Sequence, residues 1–202
     1  MRSLPRHAAT LTLLAGLALA GCGGGDSDEA SDDNSKKDSS TSAPAPTEDP
    51  ATGGKVSGKG YSFNAPEDWR KPSQDIPGTE QTDTFVADLT DDDGFADNIN
   101  VVRLDPAPIK DAGPLEKALV KELEGAGAKK VTVRDRIEMD GDTAVHIASE
   151  FTQQGATYLT EQYDAIHDGV SYVVTFSFST DVPQDDRDET AGSVLATWKW
   201  AS

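Results

Sequence analysis

Lys129–Thr180 reads KKVTVRDRIEMDGDTAVHIASEFTQQGATYLTEQYDAIHDGVSYVVTFSFST, and Gly141, Gly155 and Gly169 recur in it every 14 residues. Between these glycines lie runs rich in Val, Ile, Thr, Tyr and Phe, the pattern of consecutive antiparallel strands joined by tight turns. Side chains alternate faces along a strand, so the length of each turn decides which residues share a side of the sheet. A two-residue loop at Asp140-Gly141 would set Val145 and Ile147 against Arg136 and Arg134. A three-residue loop from Asp140 to Asp142 pairs Ile137 with Val145 and Val131 with Phe151 instead. By the same reasoning Gln154, Gly155 and Ala156 form the second loop, pairing Phe151 with Leu159 and Ile147 with Tyr163. Asp168-Gly169 reads as a type I′ turn.

That register predicts one apolar face made of Val131, Val133, Ile137, Val145, Ile147, Phe151, Leu159, Tyr163, Tyr172, Val174, Phe176 and Phe178. The opposite face is then polar, as in an antiparallel sheet with one solvated side. It places Arg136, His146 and Asp164 in one cross-strand row and Arg134, Ala148 and Gln162 in the next. Arg134, Arg136, His146, Gln162 and Asp164 are therefore the candidate partner-binding residues. Basic side chains gather there in an acidic chain, and histidine titrates nearest neutrality. The alternative is a solvated face whose opposite charges support one another by roughly 0.2–1 kcal/mol per pair.

The chain opens as an address. Arg2 and Arg6 precede the apolar run Leu11–Leu19, which is too short to span a bilayer. Leu19-Ala20-Gly21-Cys22 resembles the bacterial lipobox, in which the cysteine is lipidated and becomes the mature N-terminus. Residues 1–21 are thus expected to be a lipoprotein signal peptide. Cys22 is the single cysteine, so no intrachain disulfide is available. Loss of Arg2 and Arg6 would take the formal charge from −18 to −20.

Residues 22–57 are rich in Gly, Ser, Asp, Pro and Ala, and read as a disordered acidic tether. The remaining 58–202 suffice for one domain with its own core. Tyr61–Phe63, Thr84–Thr90 and Asn98–Leu104 read as strands, with the acidic tip Asp91-Asp92-Asp93-Gly94 between the last two. Pro114 suits a helix start, Leu115, Leu119 and Leu123 make an apolar stripe, and Gly125 and Gly127 end it. A second helix is expected from Pro183 to about Thr197, with Ala191, Val194, Leu195 and Trp198 turned inward. The fold class is α+β: an antiparallel sheet of about six or seven strands with a long C-terminal meander and two main helices.

Chemistry is sparse. There is no G-x-S-x-G, S-x-x-K, H-E-x-x-H or C-x-x-C. Only His146 and His167 follow the signal segment, so no catalytic residue, metal site or cofactor is expected. A Ser–His–Asp relay is spatial, which leaves that alternative open. The Asp91–Asp97 tip departs from an EF-hand, since Leu89 and Asn100 would occupy its first and twelfth positions. It reads as a solvated hairpin tip or a weak irregular calcium site. Trp69, Trp198 and Trp200 read as core or as a stacking cluster. The acidic charge argues against nucleic acid, which needs clustered Lys and Arg.

Gly60-Tyr61-Ser62-Phe63 with Pro66 and Trp69, the meander, and the closing Trp198-Lys199-Trp200 together resemble the PsbP-like fold shared with the Mog-type Ran-binding proteins. Within that group the chain is similar to the actinobacterial LpqN-type lipoproteins. The resemblance spans about residues 58–201. It implies helices on both faces of the sheet and a non-catalytic binding or adaptor role. A polar second face then means partial cover or a binding surface.

The expected function is a lipoprotein held at the outer face of the bacterial cytoplasmic membrane through Cys22, binding an envelope protein. The alternative is a lipoprotein for a small ligand or metal ion, and the third reading is a cryptic hydrolase.

Overall fold

The computed structural model describes residues 43–201 apart from 75, 77, 92 and 154. The expected signal peptide, Cys22 and the acidic part of the tether lie outside them. Ten strands and two helices follow in order: β1 (Lys55–Gly58), β2 (Tyr61–Asn64), β3 (Trp69–Arg70), β4 (Thr84–Asp88), β5 (Asn98–Leu104), α1 (Ala112–Gly125), β6 (Lys129–Met139), β7 (Asp142–Gln153), β8 (Ala156–His167), β9 (Val170–Ser179), α2 (Gln184–Leu195) and β10 (Lys199–Trp200). The large sheet has seven strands in the order β3-β4-β5-β9-β8-β7-β6, and the small one is β1-β2-β10. The α+β class, the meander and both helices match the sequence reading. The small sheet was not foreseen, because β1, β2 and β10 are only four, four and two residues long.

The expected register is corrected at two turns. Met139 pairs with Asp142 and Gln153 with Ala156, so both loops have two residues. Asp140 and Gly141 both have positive φ, as do Asp168 and Gly169, which is the type I′ geometry that suits the twist of a hairpin. Asp140 is further held by the Trp200 N–H (2.9 Å) and Lys199 Nζ. β6 then shifts register between Arg134 and Ile137 and again between Lys129 and Thr132. Each bulge inserts one residue and so moves the following side chains to the other face.

A one-residue change flips every side chain beyond it, and the single apolar face dissolves. Val145, Ile147, Phe151 and Tyr158 pack against Leu115, Leu119 and Leu123 of α1 on one side. Tyr163, Tyr172, Val174, Phe176 and Phe178 pack on the other side with Tyr61, Phe63, Ala191, Val194, Leu195 and Trp198, from the small sheet, α2 and the turn after it. Both faces are covered. With apolar cover on each side, hydrophobic alternation no longer dictates the turn length, which is why the longer loops were unnecessary. Burying the three leucines of α1 contributes roughly 1.5–3 kcal/mol each as an upper estimate.

Residues before 58 also contact the large sheet and α2. The Glu138 N–H donates to Pro44 O (2.7 Å) and the Ala51 N–H to Ser193 O (2.9 Å), and Ala51 is buried. A Cβ on Gly192 would collide with the Glu48 carboxylate, so this segment lies directly on α2. Its Pro- and Ala-rich composition hid the packing, which uses backbone hydrogen bonds and small side chains.

Candidate functional site

The five candidate residues fall on opposite faces. Arg134 lies across from His146, and His146 across from Tyr163, on the α2 side. Gln162 and Asp164 share the α1 side with Ile147 and Val145, their cross-strand partners. Arg136, displaced by the bulge, donates to Glu116 of α1 through Nε and Nη2 (3.2 and 3.1 Å). The row expected from Arg136 through His146 to Asp164 does not exist.

Around His146 a buried ionic network joins the sheet to α2. His146 Nε2 lies 2.8 Å from Glu161 Oε2, and its ring stacks on Tyr163. Glu161 Oε1 accepts from Arg187 Nε (3.1 Å) and Gln184 Nε2 (3.0 Å). Arg134 Nη2 donates to Asp188 Oδ2 (2.8 Å), and Gln184 Nε2 to Asp188 Oδ1 (2.8 Å). Glu161 is fully buried, which opposes ionisation. The hydrogen bonds from His146 and Gln184, with the charges around it, outweigh burial and hold its carboxyl below the ordinary value.

His146, Glu161 and Asp188 offer ligand atoms within 4.8 Å of one another. Each carboxylate is nevertheless already paired with a guanidinium, so a cation would have to displace Arg187 and Arg134. The donor set fits an internal clamp and not a metal centre. The sequence signal for it was Glu161 itself, a charge at the same strand parity as the apolar Leu159 and Tyr163. Its partners on α2 come from a distant segment that spacing does not connect to it.

On the other face Asp164 is pushed up to about 7 by burial, with the Ser171 hydrogen bond (2.8 Å) pulling down and Glu122 of α1 adding to the rise. Asp97 is also raised to about 7, chiefly by burial, although the Ser179 N–H donates to it. Its neighbours at the acidic tip bond their own loop. Asp88 accepts from Thr90, Asp91 from the Asp93 N–H, and Asp93 from the Phe95 N–H. His167 Nδ1 pairs with Asp142 (2.7 Å) and its ring stacks on Trp200. Among the described residues no serine or threonine hydroxyl bonds to either imidazole.

The tryptophans divide. Trp198 is core, stacked on Tyr61 with ring centroids 4.6 Å apart. Trp69 is half-buried at a cleft of about 850 Å³ between β1, β3 and β4, whose wall carries Lys55, Arg70 and Lys71. Sequence reading missed this cleft because its walls come from three separated segments.

LpqN of Mycobacterium tuberculosis superposes with a TM-score of 0.50 at 13% identity, covering 72% of this chain and 88% of that one. This chain is similar in fold to LpqN. A Bacteroides thetaiotaomicron structure gives a TM-score of 0.45 at 13% identity, covering 70% of this chain and 45% of that one. Cyanobacterial PsbP (CyanoP) from Synechocystis gives 0.43 at 17% identity, covering 70% and 87%. No protein-family model and no curated protein matches the sequence. Among the described residues no helix is long and apolar enough to cross a membrane.

Proposed function

We propose that the chain is a non-catalytic binding or adaptor module working outside the cytoplasmic membrane, tethered through lipid on Cys22. The observation that supports this most is the mutual pairing of the side chains around His146. His146, Glu161, Arg187 and Asp188 are engaged with one another and with Gln184, holding α2 to the sheet. They present no free nucleophile, base or ligand set. The fold shared with LpqN, a protein involved in cell envelope biogenesis, favours the same location.

The anchor is tested by metabolic labelling with a fatty-acid analogue. Wild type should be labelled and retained in the membrane fraction, and Cys22→Ala should lose both. A labelled Cys22→Ala protein would rule the anchor out.

A second reading is a small-ligand lipoprotein. The cleft of about 850 Å³ favours it, since ligand pockets span roughly 300–1,000 Å³. A metabolite that raises the melting temperature by binding the folded state would support this reading over the first.

A further inference from the structure

β4 is longer than the strand that covers its outer edge. Arg70 pairs with Ala87 and Trp69 with Asp88, and there β3 ends. The Asp88 N–H donates to Asp97 O on the β5 side (2.8 Å). Bonding direction alternates residue by residue in an antiparallel ladder. Asp88, Val86 and Thr84 therefore bond toward β5, while Ala87 and Phe85 bond outward. Ala87 meets Arg70. Two more residues of β3 would bring Pro72 opposite Phe85, and a proline has no N–H to donate. Among the described residues Phe85 consequently has no partner in β3, and it lines the cleft.

We propose that this edge takes up an extended acidic segment of a partner protein, which adds to β4 as a strand in line with β3. The proposal rests on the binding-module reading and gives that module its site. Charge complementarity selects the occupant. Lys55, Arg70 and Lys71 are exposed around the cleft, and none forms an ion pair among the described residues. The wall also carries two carboxylates, Asp83, which accepts from the Lys59 N–H (2.8 Å), and Glu80, which accepts from the Gly78 N–H (3.1 Å), so the cations hold a narrow majority there. In a chain of net charge −18, this places three cations that form no ion pair among the described residues beside a stretch of β4 that β3 leaves uncovered. The same cations disfavour edge-to-edge pairing of two copies, the usual protection of an open sheet. An added strand would draw affinity from main-chain hydrogen bonds and specificity from alternate side chains, with carboxylates meeting the three cations and an apolar residue meeting Trp69.

The test uses the lipidated full chain in detergent with the probe acetyl-Glu-Val-Glu-Val-Glu-amide. Saturable binding is expected, with slowed hydrogen exchange at the Phe85 amide. Arg70→Glu combined with Lys71→Glu should weaken binding about tenfold, since each exchanges a surface attraction for a repulsion. Both side chains are exposed, and an unchanged melting curve shows that the variant is folded. Methylating alternate peptide nitrogens should abolish binding. The proposal is overturned by no saturable binding at millimolar peptide, by equal affinity for the Lys-for-Glu peptide, or by unchanged exchange at Phe85 under saturation. The binding-module reading is decided separately, by capture of an envelope partner, and stands or falls independently of Phe85.

Discussion

His146 and Glu161 meet diagonally across β7 and β8, Nε2 to Oε2 at 2.8 Å, beneath Arg187 of α2. The contact fixes where the helix sits, because Glu161 bonds the sheet through one oxygen and α2 through the other. It also commits the only buried histidine among the described residues to structure.

Glu161→Gln should therefore destabilise the fold by about 3–5 kcal/mol, because removing one partner leaves the other charge buried without compensation. Arg187, 8% exposed, is that other charge. Denaturant unfolding measures the effect. A loss under about 1 kcal/mol would mean that the network is an exposed-type pair of little worth.

Two carboxyls should give opposite pH slopes. Glu161 lies below its ordinary value of 4.5, so its contribution is present above that pH and is lost as pH falls through the depressed value. Asp164 goes the other way. Between its unfolded value of 3.8 and its folded value of about 7, the unfolded chain ionises first, so stability falls as pH rises through this window. Asp164→Asn should melt higher than wild type at pH 8, and the gain should disappear below about pH 4. Asp97 is common to both proteins and cancels in the difference. A gain independent of pH would refute the assignment.

Removing residues 43–57 deletes three of the four residues of β1 and the bonds from Glu138 to Pro44 and from Ala51 to Ser193. At about 1 kcal/mol per hydrogen bond, a chain starting at residue 58 should melt roughly 5–10 °C below one starting at residue 43. Equal melting temperatures would return this segment to the tether.

Trp198→Ala should cost about 3–5 kcal/mol, through lost transfer energy and the cavity left behind. Trp198 is 1% exposed and stacks on Tyr61 and Phe63. Its Nε1 has no partner among the described residues, so Trp198→Phe should be much milder. Calorimetry separates the two variants.

The sequence was most informative where a local rule had no competitor. Pro114, the Leu115-Leu119-Leu123 stripe and Gly127 bound α1, and Asp168-Gly169 sets a hairpin. It was silent where one residue changes everything beyond it. No glycine or proline marks the bulge between Arg134 and Ile137, yet that residue decides that Arg134 faces α2 and Arg136 faces α1. Counting parity under the assumption of one apolar face joined Arg136, His146 and Asp164, which two-sided cover separates. The cleft was legible only at Trp69, because Lys55 comes from the small sheet and Arg70 and Phe85 from the large one, and spacing does not connect them.

The binding-module claim is tested most directly by cross-linking in the intact envelope, with the full chain in three forms. These are wild type, Arg134→Ala with Arg136→Ala, and Arg70→Glu with Lys71→Glu. The expected result is a specific envelope protein joined to wild type, retained by the first variant while it remains folded, and lost by the second. Wild type that joins no envelope protein above the level of a Cys22→Ala control would contradict it.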